Sequence, residues 1–550
     1  MKKMISAALV AVMLLSFVAC GIPGMNMGPE GASSETESEI TSGQNEYGPE
    51  NGDGSGENGL ATEPEKEKLQ RPVPLQIMVG TEYEYEYDET DGYRLLCRAE
   101  WDLLRLGEES AANYPLLEEA LSELRVSDRS YYGEFATEML PYAQEQAAQS
   151  EYFYEYTATS KCAVVRADDR ILSAQIDADE YTGGAHPNYG VTGLNLDPET
   201  GERLSLDEVL TDTTQLPAIL AEKIRAKYPD EPLENLQTQL EEYTPQMYTW
   251  TLDYQGITFF FSPYEVASYA AGLLNTTIWF DEMPELFREE YTLAPAGGWV
   301  EMLPLNRENE TDLNAAGGEK SSLYFWMTED EYDYKQIYLK WNDTDIHFEE
   351  CYGFEMLPML VCAGEPGNEH YYLYIEASAE NEYTTMYIYD LNGTEPVKRE
   401  EVSGVSRSGW WDENEGEYGL YYDMVLNDPT EYMLSSIVHI LGTWSAGRHY
   451  TTDPETGKIL LLEGDYMIPE GDRTLVSTVD LEICILPGNE PEILPAGTVF
   501  YPFQTDGKQY MICWLEDGRQ CRIDVEYVDY QWMVNGISEW DCFAELLYAG

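Results

Sequence analysis

Basic residues are scarce in this chain. It has 31 lysines and arginines against 103 aspartates and glutamates, a formal net charge of −72. Proteins that grip nucleic acid neutralise its phosphates with clustered Lys and Arg, so this balance argues against nucleic acid as a partner. It also disfavours lying on anionic lipid. A field of one sign steers opposite charge, which favours cationic solutes or a cationic protein; an acidic surface that only keeps a secreted protein in solution reads the same way. Histidine is scarcer still: five, at 186, 347, 370, 439 and 449, without an H-x-H. His347-Phe348-Glu349 lacks the P-C-x-x-C of a zinc deaminase. C-x-x-C is missing, which argues against dithiol redox chemistry and a zinc ribbon. H-E-x-x-H, G-x-S-x-G and G-x-x-x-x-G-K-[ST] are missing too. Acidic loops at 88–91, 342–345 and 412–417 lack the central glycine and distant glutamate of an EF-hand. Carboxylates are so frequent that no pair stands out as the acid and base of a glycosidase. The sequence therefore assigns no catalytic residue, no metal ligand and no cofactor.

Long apolar runs are also few. Lys2 and Lys3 precede one from Met4 to Val18, ending in Phe17-Val18-Ala19-Cys20. It is too short and wrongly flanked for a spanning helix. It reads as a secretory signal with a lipobox-like end, Phe17 standing where leucine is usual. Cys20 is then the lipidated first residue of the mature chain; cleavage elsewhere as an ordinary signal is the alternative. Residues 1–20 are read as this lipoprotein signal peptide and 21–71 as a disordered acidic tether. Gly, Ser, Glu, Asn and Pro there bury too little surface to offset chain entropy. These features predict a palmitate-type lipid anchor at the outer, extracytoplasmic face of the cell membrane. Of nine cysteines, eight remain without Cys20. Cys513 and Cys521 form a candidate disulfide if Glu516-Asp517-Gly518 closes a hairpin.

What is present is β-rich and tyrosine-rich. About 480 residues follow the tether, room for two to four domains of about 150 residues. In Ile171–Leu210, Leu172, Ala174, Ile176 and Ala178 alternate with polar residues as a strand does. The alternation stops at Tyr181-Thr182-Gly183-Gly184, where glycine frees the backbone. Pro187 then pushes His186 towards an extended conformation. A second strand, 190–196, runs into the Asp197-Pro198-Glu199-Thr200-Gly201 turn. Ser205 with Glu208 forms a capping box and starts a helix. On one reading this loop presents Tyr181, Gly183, Gly184, His186 and Asn188 to a ligand, since loops on rigid scaffolds carry recognition. On the other, which the local chemistry favours, His186 and Asn188 bond backbone groups left unpaired where the strands separate.

Before this stretch, Tyr83, Tyr85 and Tyr87 alternate with Glu82, Glu84 and Glu86 on a strand. Residues 95–106 form a second strand, and helices are expected at 108–125 and 128–149. After it, helices are expected at 215–227 and 233–243, a buried strand at 256–261, a helix from Ser262-Pro263-Tyr264-Glu265 to the Gly272 cap, a strand at 275–280 and a short helix at 283–291. Trp341, Trp410 and Trp411 read as sheet core rather than sugar platforms. Beyond a polar stretch near Asn306–Lys320, helix signals almost vanish. The expected organisation is an α+β module at 72–204, a second at 205–293, a linker at 294–320, a β-rich domain at 321–480 and a small barrel-like domain at 481–550. The fold class is thus an α+β N-terminal module pair followed by a mostly-β C-terminal region.

Tyr181 to Asn188, Asn195 to Leu210, Gly256 to Gly272 (GITFFFSPYEVASYAAG) and Thr277-Ile278-Trp279-Phe280 together resemble a known module pair. It is the extracellular region of lysozyme-binding anti-sigma-V factors, and the region preceding the catalytic domain in Gram-positive peptidoglycan deacetylases. The resemblance covers about residues 73–291. It implies a two-part α+β envelope module and, in the anti-sigma branch, lysozyme as partner. This chain lacks the family's spanning helix and the deacetylase His and Asp motifs. The expectation is a non-catalytic surface lipoprotein that binds a cell-envelope ligand or a basic protein such as a lysozyme. The rivals are a hydrolase or esterase of cell-wall glycan, and a carbohydrate-binding adhesin.

Overall fold

The computed structural model describes residues 69–548 except 89–91, 151, 314–319, 330–334, 343, 348–352, 380–383, 413–414, 416–418, 463 and 470–472. The signal peptide, Cys20 and nearly all of the tether lie outside the described residues. No described helix is long and apolar enough to cross a membrane.

Alternation in the first strands builds a sheet with two unlike faces. It contains β1 (Ile77–Asp88), β2 (Arg94–Leu106), β3 (Tyr156–Asp168), β4 (Ile171–Tyr181) and β5 (Asn188–Leu196). β2 and β3 are parallel, with Cys97 opposite Tyr156; the other neighbours are antiparallel. A parallel step needs a crossover, supplied by α1 (Glu108–Asn113) and α2 (Pro115–Gln149). Residues 128–149 and most of 108–125 thus form one helix rather than two. Val126-Ser127-Asp128 carries no breaker, and Arg125 ties the turn before it to Glu118 at 2.7 Å. Leu121, Tyr132, Phe135, Ala136 and Ala143 of α2 are buried, with Tyr132 stacked on Trp101 at 5.8 Å. The acidic side of β1 faces this helix, Glu82 taking two hydrogen bonds from Arg129 at 2.8 and 2.9 Å. The tyrosine side stays out, Tyr83 and Tyr85 stacked on each other at 6.0 Å.

The second module follows from its punctuation, with shorter helices than its spacing suggests. Glu208 accepts from Ser205 N at 2.8 Å, but the helix it caps is a single turn, Leu206–Val209. α3 (Leu216–Lys227) forms as expected. The 233–243 helix shrinks to Leu236–Leu240, and 283–291 becomes two 3-10 turns. The segment after Ser262 is not an α-helix; only a 3-10 turn, Tyr269–Ala271, forms before the expected Gly272 cap. Ser262 Oγ, the expected cap, is spent on Val191 N at 3.3 Å, and Tyr264 is left-handed at φ 71°. β6 (Thr249–Leu252), β7 (Gly256–Phe261) and β8 (Leu274–Trp279) form a three-stranded sheet over these helices.

The two modules are joined by buried polar groups. Ser173 donates to Asn195 Oδ1 at 2.7 Å, Asn195 Nδ2 to Trp250 O at 2.8 Å, and Leu252 N to Ser173 Oγ at 2.9 Å. Gly193 is obligatory beside them, since a Cβ there would lie 1.8 Å from Trp250 O. Arg166 is wholly buried with Asp168 at 2.8 Å. It also donates to the carbonyls of Asp253, Tyr291 and Leu293 at 3.3, 2.6 and 3.3 Å.

The C-terminal region is mostly β and is woven back into the first sheet. β9 (Gly298–Met302) and β10 (Glu308–Thr311) come from the stretch read as a linker. β10 joins β11 (Ser321–Glu329), β12 (Lys335–Trp341) and β13 (Thr344–His347). β9 is the edge of a sheet with β14 (Gly353–Ala363), β15 (His370–Ala379), β16 (Thr384–Asp390) and β17 (Val397–Ser403). After β18 (Ser406–Arg407), β19 (Gly409–Asp412) and β20 (Leu420–Met424) extend the first sheet, Met424 pairing with Met78. Trp410 and Trp411 are therefore partly exposed on this added edge, whereas Trp341 is core.

The barrel expected at the end does not form: no sheet closes into one. Val499–Thr505 pairs with Tyr510–Leu515 on one side and successively with Leu475–Ser477 and Tyr466–Met467 on the other. The sheet branches there instead of curling onto its own edge. The expected hairpin does form, with Cys513 opposite Cys521. Both are free thiols. Leu515 N bonds Arg519 O, and Val525 N bonds Gln509 O, so by alternation Cys513 and Cys521 are a hydrogen-bonded pair. Their Cβ atoms are then held farther apart than a disulfide's roughly 3.5–4.5 Å.

Candidate functional site

Because α2 covers one face of the first sheet, strand alternation directs the polar side chains of the other face into a common cleft. Cross-strand register sets them in rows. Tyr83 faces Glu100, Glu100 faces Thr159, Thr159 faces Asp179, and Asp179 faces Tyr189. In the adjacent row Thr81 faces Asp102, and Lys161 faces Asp177. The second module adds Lys227 and Asn275, and the C-terminal region adds Arg307, Glu376 and Arg407, closing a cleft of about 1070 Å³. Met302, Met327, Met356 and Pro358 supply an apolar wall.

Most of its charges are already matched. Lys161 pairs with Glu100 and lies 3.4 Å from Asp102. Asp102 also accepts from Thr81 Oγ1 and Cys162 N, both at 2.8 Å. Arg307 meets Asp177 at 2.6 Å, Lys227 meets Glu310 at 2.9 Å, and Arg407 meets Glu376 at 2.9 Å. Burial pushes the carboxyls of Asp102, Asp177 and Asp179 above the ordinary aspartate value. Burial opposes charge on Lys161, yet Asp102 and Glu100 outweigh it and hold the ammonium above the usual lysine value. Asp179 differs from its neighbours: among the described residues it has no hydrogen bond or ion pair, only a through-space attraction to Arg98.

An aromatic group stands at the rim beside Asp179. The His186 ring stacks on Tyr269 at 3.8 Å, with Tyr189 edge-on at 5.7 Å and Tyr264 tilted at 5.6 Å. Tyr269 OH donates to Pro187 O at 2.8 Å, and His186 Nδ1 lies 3.0 Å from the same carbonyl. The five loop residues singled out in the sequence divide here. Tyr181 donates to Gly184 O at 3.2 Å, bracing the loop. Gly183 (φ 87°) sits against α2, where a Cβ would meet Gln146 at 2.4 Å. His186 joins the rim, and Asn188 is exposed. Asp179, Tyr189, Tyr264 and Tyr269 were not singled out from sequence; the register of β4 against β5 is the signal that reaches the first two.

Among the described residues, no group of three or more His, Cys, Asp or Glu is placed to hold a metal ion. Buried Glu301 and its neighbour Asp253 form a carboxyl couple outside the cleft lining. Burial and the neighbouring Asp253 hold Glu301 well above the usual glutamate value.

Two family models match this part of the chain. Residues 109–189 match one described as deacetylase PdaC, and 207–281 match one described as a protein of unknown function, DUF3298. Together they are similar to the module pair found in anti-sigma-V factors and PdaC-like proteins, as the glycine-histidine-proline and proline-tyrosine-glutamate stretches imply. No curated protein matches the chain. Solved structures similar to it include a DUF3298 family member from Bacteroides fragilis, 19% identical, covering 40% of this chain and 96% of that one with a TM-score of 0.31. Another is a DUF3298 family protein from Pseudomonas aeruginosa, 16% identical, covering 40% and 99% with a TM-score of 0.29.

Proposed function

We propose that this chain is a non-catalytic lipoprotein, anchored through Cys20 at the outer face of the cell membrane, that captures a cationic partner such as a lysozyme. The module pair, of a kind found in cell-envelope proteins, supports the setting. The observation that carries the reading is Asp179: a half-buried carboxylate with no direct ion pair among the described residues and only the distant pull of Arg98, in a cleft whose other acids are largely matched, beside a ring cluster. An ammonium or guanidinium group arriving there gains an ion pair and the neighbouring Tyr189 ring, which lines the cleft. The chain's −72 charge raises the rate of encounter.

The test is titration of the purified chain with a basic lysozyme at low and physiological salt. Binding is expected to weaken as salt rises and to fall roughly tenfold in Asp179→Asn, in line with losing one partly buried charged contact. Failure to bind at low salt, or binding indifferent to Asp179→Asn and Tyr189→Ala together, overturns the reading. Turnover of peptidoglycan fragments, abolished by a single carboxylate change in the cleft, would replace it with an enzyme of cell-wall glycan.

A further inference from the structure

We propose a second binding surface, for a neutral polysaccharide chain, on the aromatic hairpin near the C-terminus. It is independent of the cleft, and none of its residues lines that cleft. Glu526–Val528 pairs with Gln531–Val534 across a two-residue turn, Asp529-Tyr530. Both turn residues are left-handed, at φ 51° and 66°. Such a turn favours glycine at its second position; a tyrosine there is strained by its own Cβ. No packing offsets that strain, because Tyr530 is 93% exposed. The ring is thus open to a partner on the outside of the fold.

Two more exposed rings, Tyr527 and Trp540, lie near it in the chain, each set against a less exposed partner. Tyr527 lies 4.8 Å from Trp532, and Trp540 lies 5.5 Å from Tyr548. Buried Glu539 fixes both pairs, accepting from Trp532 N at 3.1 Å and from Tyr548 OH. Tyr527 and Trp540 remain 57% and 56% exposed. Exposed carboxylates interleave with them at Glu526, Asp529, Asp541 and Glu545. The nearby Arg473 guanidinium is turned onto Trp444 and the carbonyls of Thr443 and Leu547.

This pattern selects the occupant. A second copy would bring its own carboxylates and −72 charge against these, which opposes self-association. Tight protein contacts centre on packed, water-excluding pockets, whereas these rings stand open on a hairpin. A pyranose lays its C–H face on an aromatic ring and donates its hydroxyls to carboxylates. Open rings interleaved with acceptors suit that chemistry, and the excess of carboxylates rejects an anionic polymer.

The experiment is calorimetric titration of the full chain with chitohexaose and with cellohexaose. Binding to at least one is expected, weakened roughly five- to tenfold by Trp540→Ala, the order of one lost stacking ring. Tyr530→Gly is expected to weaken binding while raising the thermal midpoint, since glycine relieves the turn. Asp179→Asn should leave sugar affinity unchanged, which separates this surface from the cleft. Binding of neither sugar, affinity unaffected by both ring variants, or self-association abolished by Trp540→Ala would each overturn the proposal.

Discussion

Replacing Arg166 by methionine should be among the most damaging single changes in the chain. The guanidinium is wholly buried, ion-paired to Asp168 at 2.8 Å, and lies 4.7 Å over the Tyr254 ring. Its remaining donors serve carbonyls at 253, 291 and 293, so one β3 side chain fastens three points of the second module and its exit. Removing one partner of a buried pair costs about 3–5 kcal/mol, and each carbonyl left without its donor adds about 1–3 kcal/mol where water cannot replace it. Methionine recovers some packing of the stem, which leaves an expected loss of about 5 kcal/mol. Arg166→Lys should recover less than half, because a single ammonium cannot span acceptors set in a fork. The assay is urea unfolding followed by tryptophan fluorescence, with limited proteolysis of 205–293 showing whether the second module loosens first. Asp168→Asn added to Arg166→Met should cost less than in the wild type, since the partner is already gone. A loss under about 1 kcal/mol for Arg166→Met would refute the assignment of Arg166 as the module clamp.

Gly193→Ala should destabilise by about 3 kcal/mol or prevent folding, because the obstructing atoms belong to the Trp250 backbone rather than a flexible side chain; the urea midpoint reads this. Glu301→Gln tests the buried carboxyl couple. A raised glutamate binds more protons folded than unfolded, so its contribution is fully present below the ordinary value and lost as pH rises through the folded value. Unfolding midpoints from pH 5 to 8 should therefore decline less in Glu301→Gln than in the wild type, and equal slopes would count against the couple. Cysteine alkylation reports burial directly: Cys97 and Cys521 are pushed up to about 12. Iodoacetamide at pH 8 should label neither until the chain unfolds, as read by mass spectrometry; two sites missing after unfolding would reveal a disulfide.

The strands were legible because their physics is local. The alternation of Leu172, Ala174 and Ile176 is the period of β4, and the Glu516-Asp517-Gly518 loop gives its hairpin. Helix ends were less so, because a cap can be recruited elsewhere: Ser262 serves Val191 and leaves its own helix unformed. The exchange of strands between regions was not legible. Nothing in Leu420–Met424 distinguishes pairing with β1 from pairing nearby, and the reason appears only in contact: Tyr422 packs where Gly80 leaves no side chain, its ring 2.9 Å from the place of a Cβ. The cleft was half legible. Its residues on β4 were visible as that strand's polar face, but β1 gives the cleft its tyrosine face instead; the convergence depends on which face α2 covers, and Arg129 decides that by binding the acidic side of β1.

The same scarcity of bases that argues against nucleic acid as a partner also shapes how the acids are held. With acids outnumbering bases by 103 to 31, a base is often shared between two acids. Lys161 serves Glu100 and Asp102, Arg129 serves Glu82 and Glu415, and Lys320 serves Asp281 and Asp312. Of these only Lys161 lines the cleft; with Arg307 on Asp177 and Arg407 on Glu376 it fixes acidic side chains in place there, so the residual negative field in the cleft is borne by positioned groups rather than by a mobile cloud of solvated carboxylates. A positioned field is already organised before a partner arrives, and a cation meeting it has less left to order. Asp179 is where that arrangement is left open, between a satisfied row of charges and a cluster of rings. On the proposed reading, the acidity of the chain and the stacking of His186 on Tyr269 are parts of one site, complementary to a positive charge carried on an apolar stem.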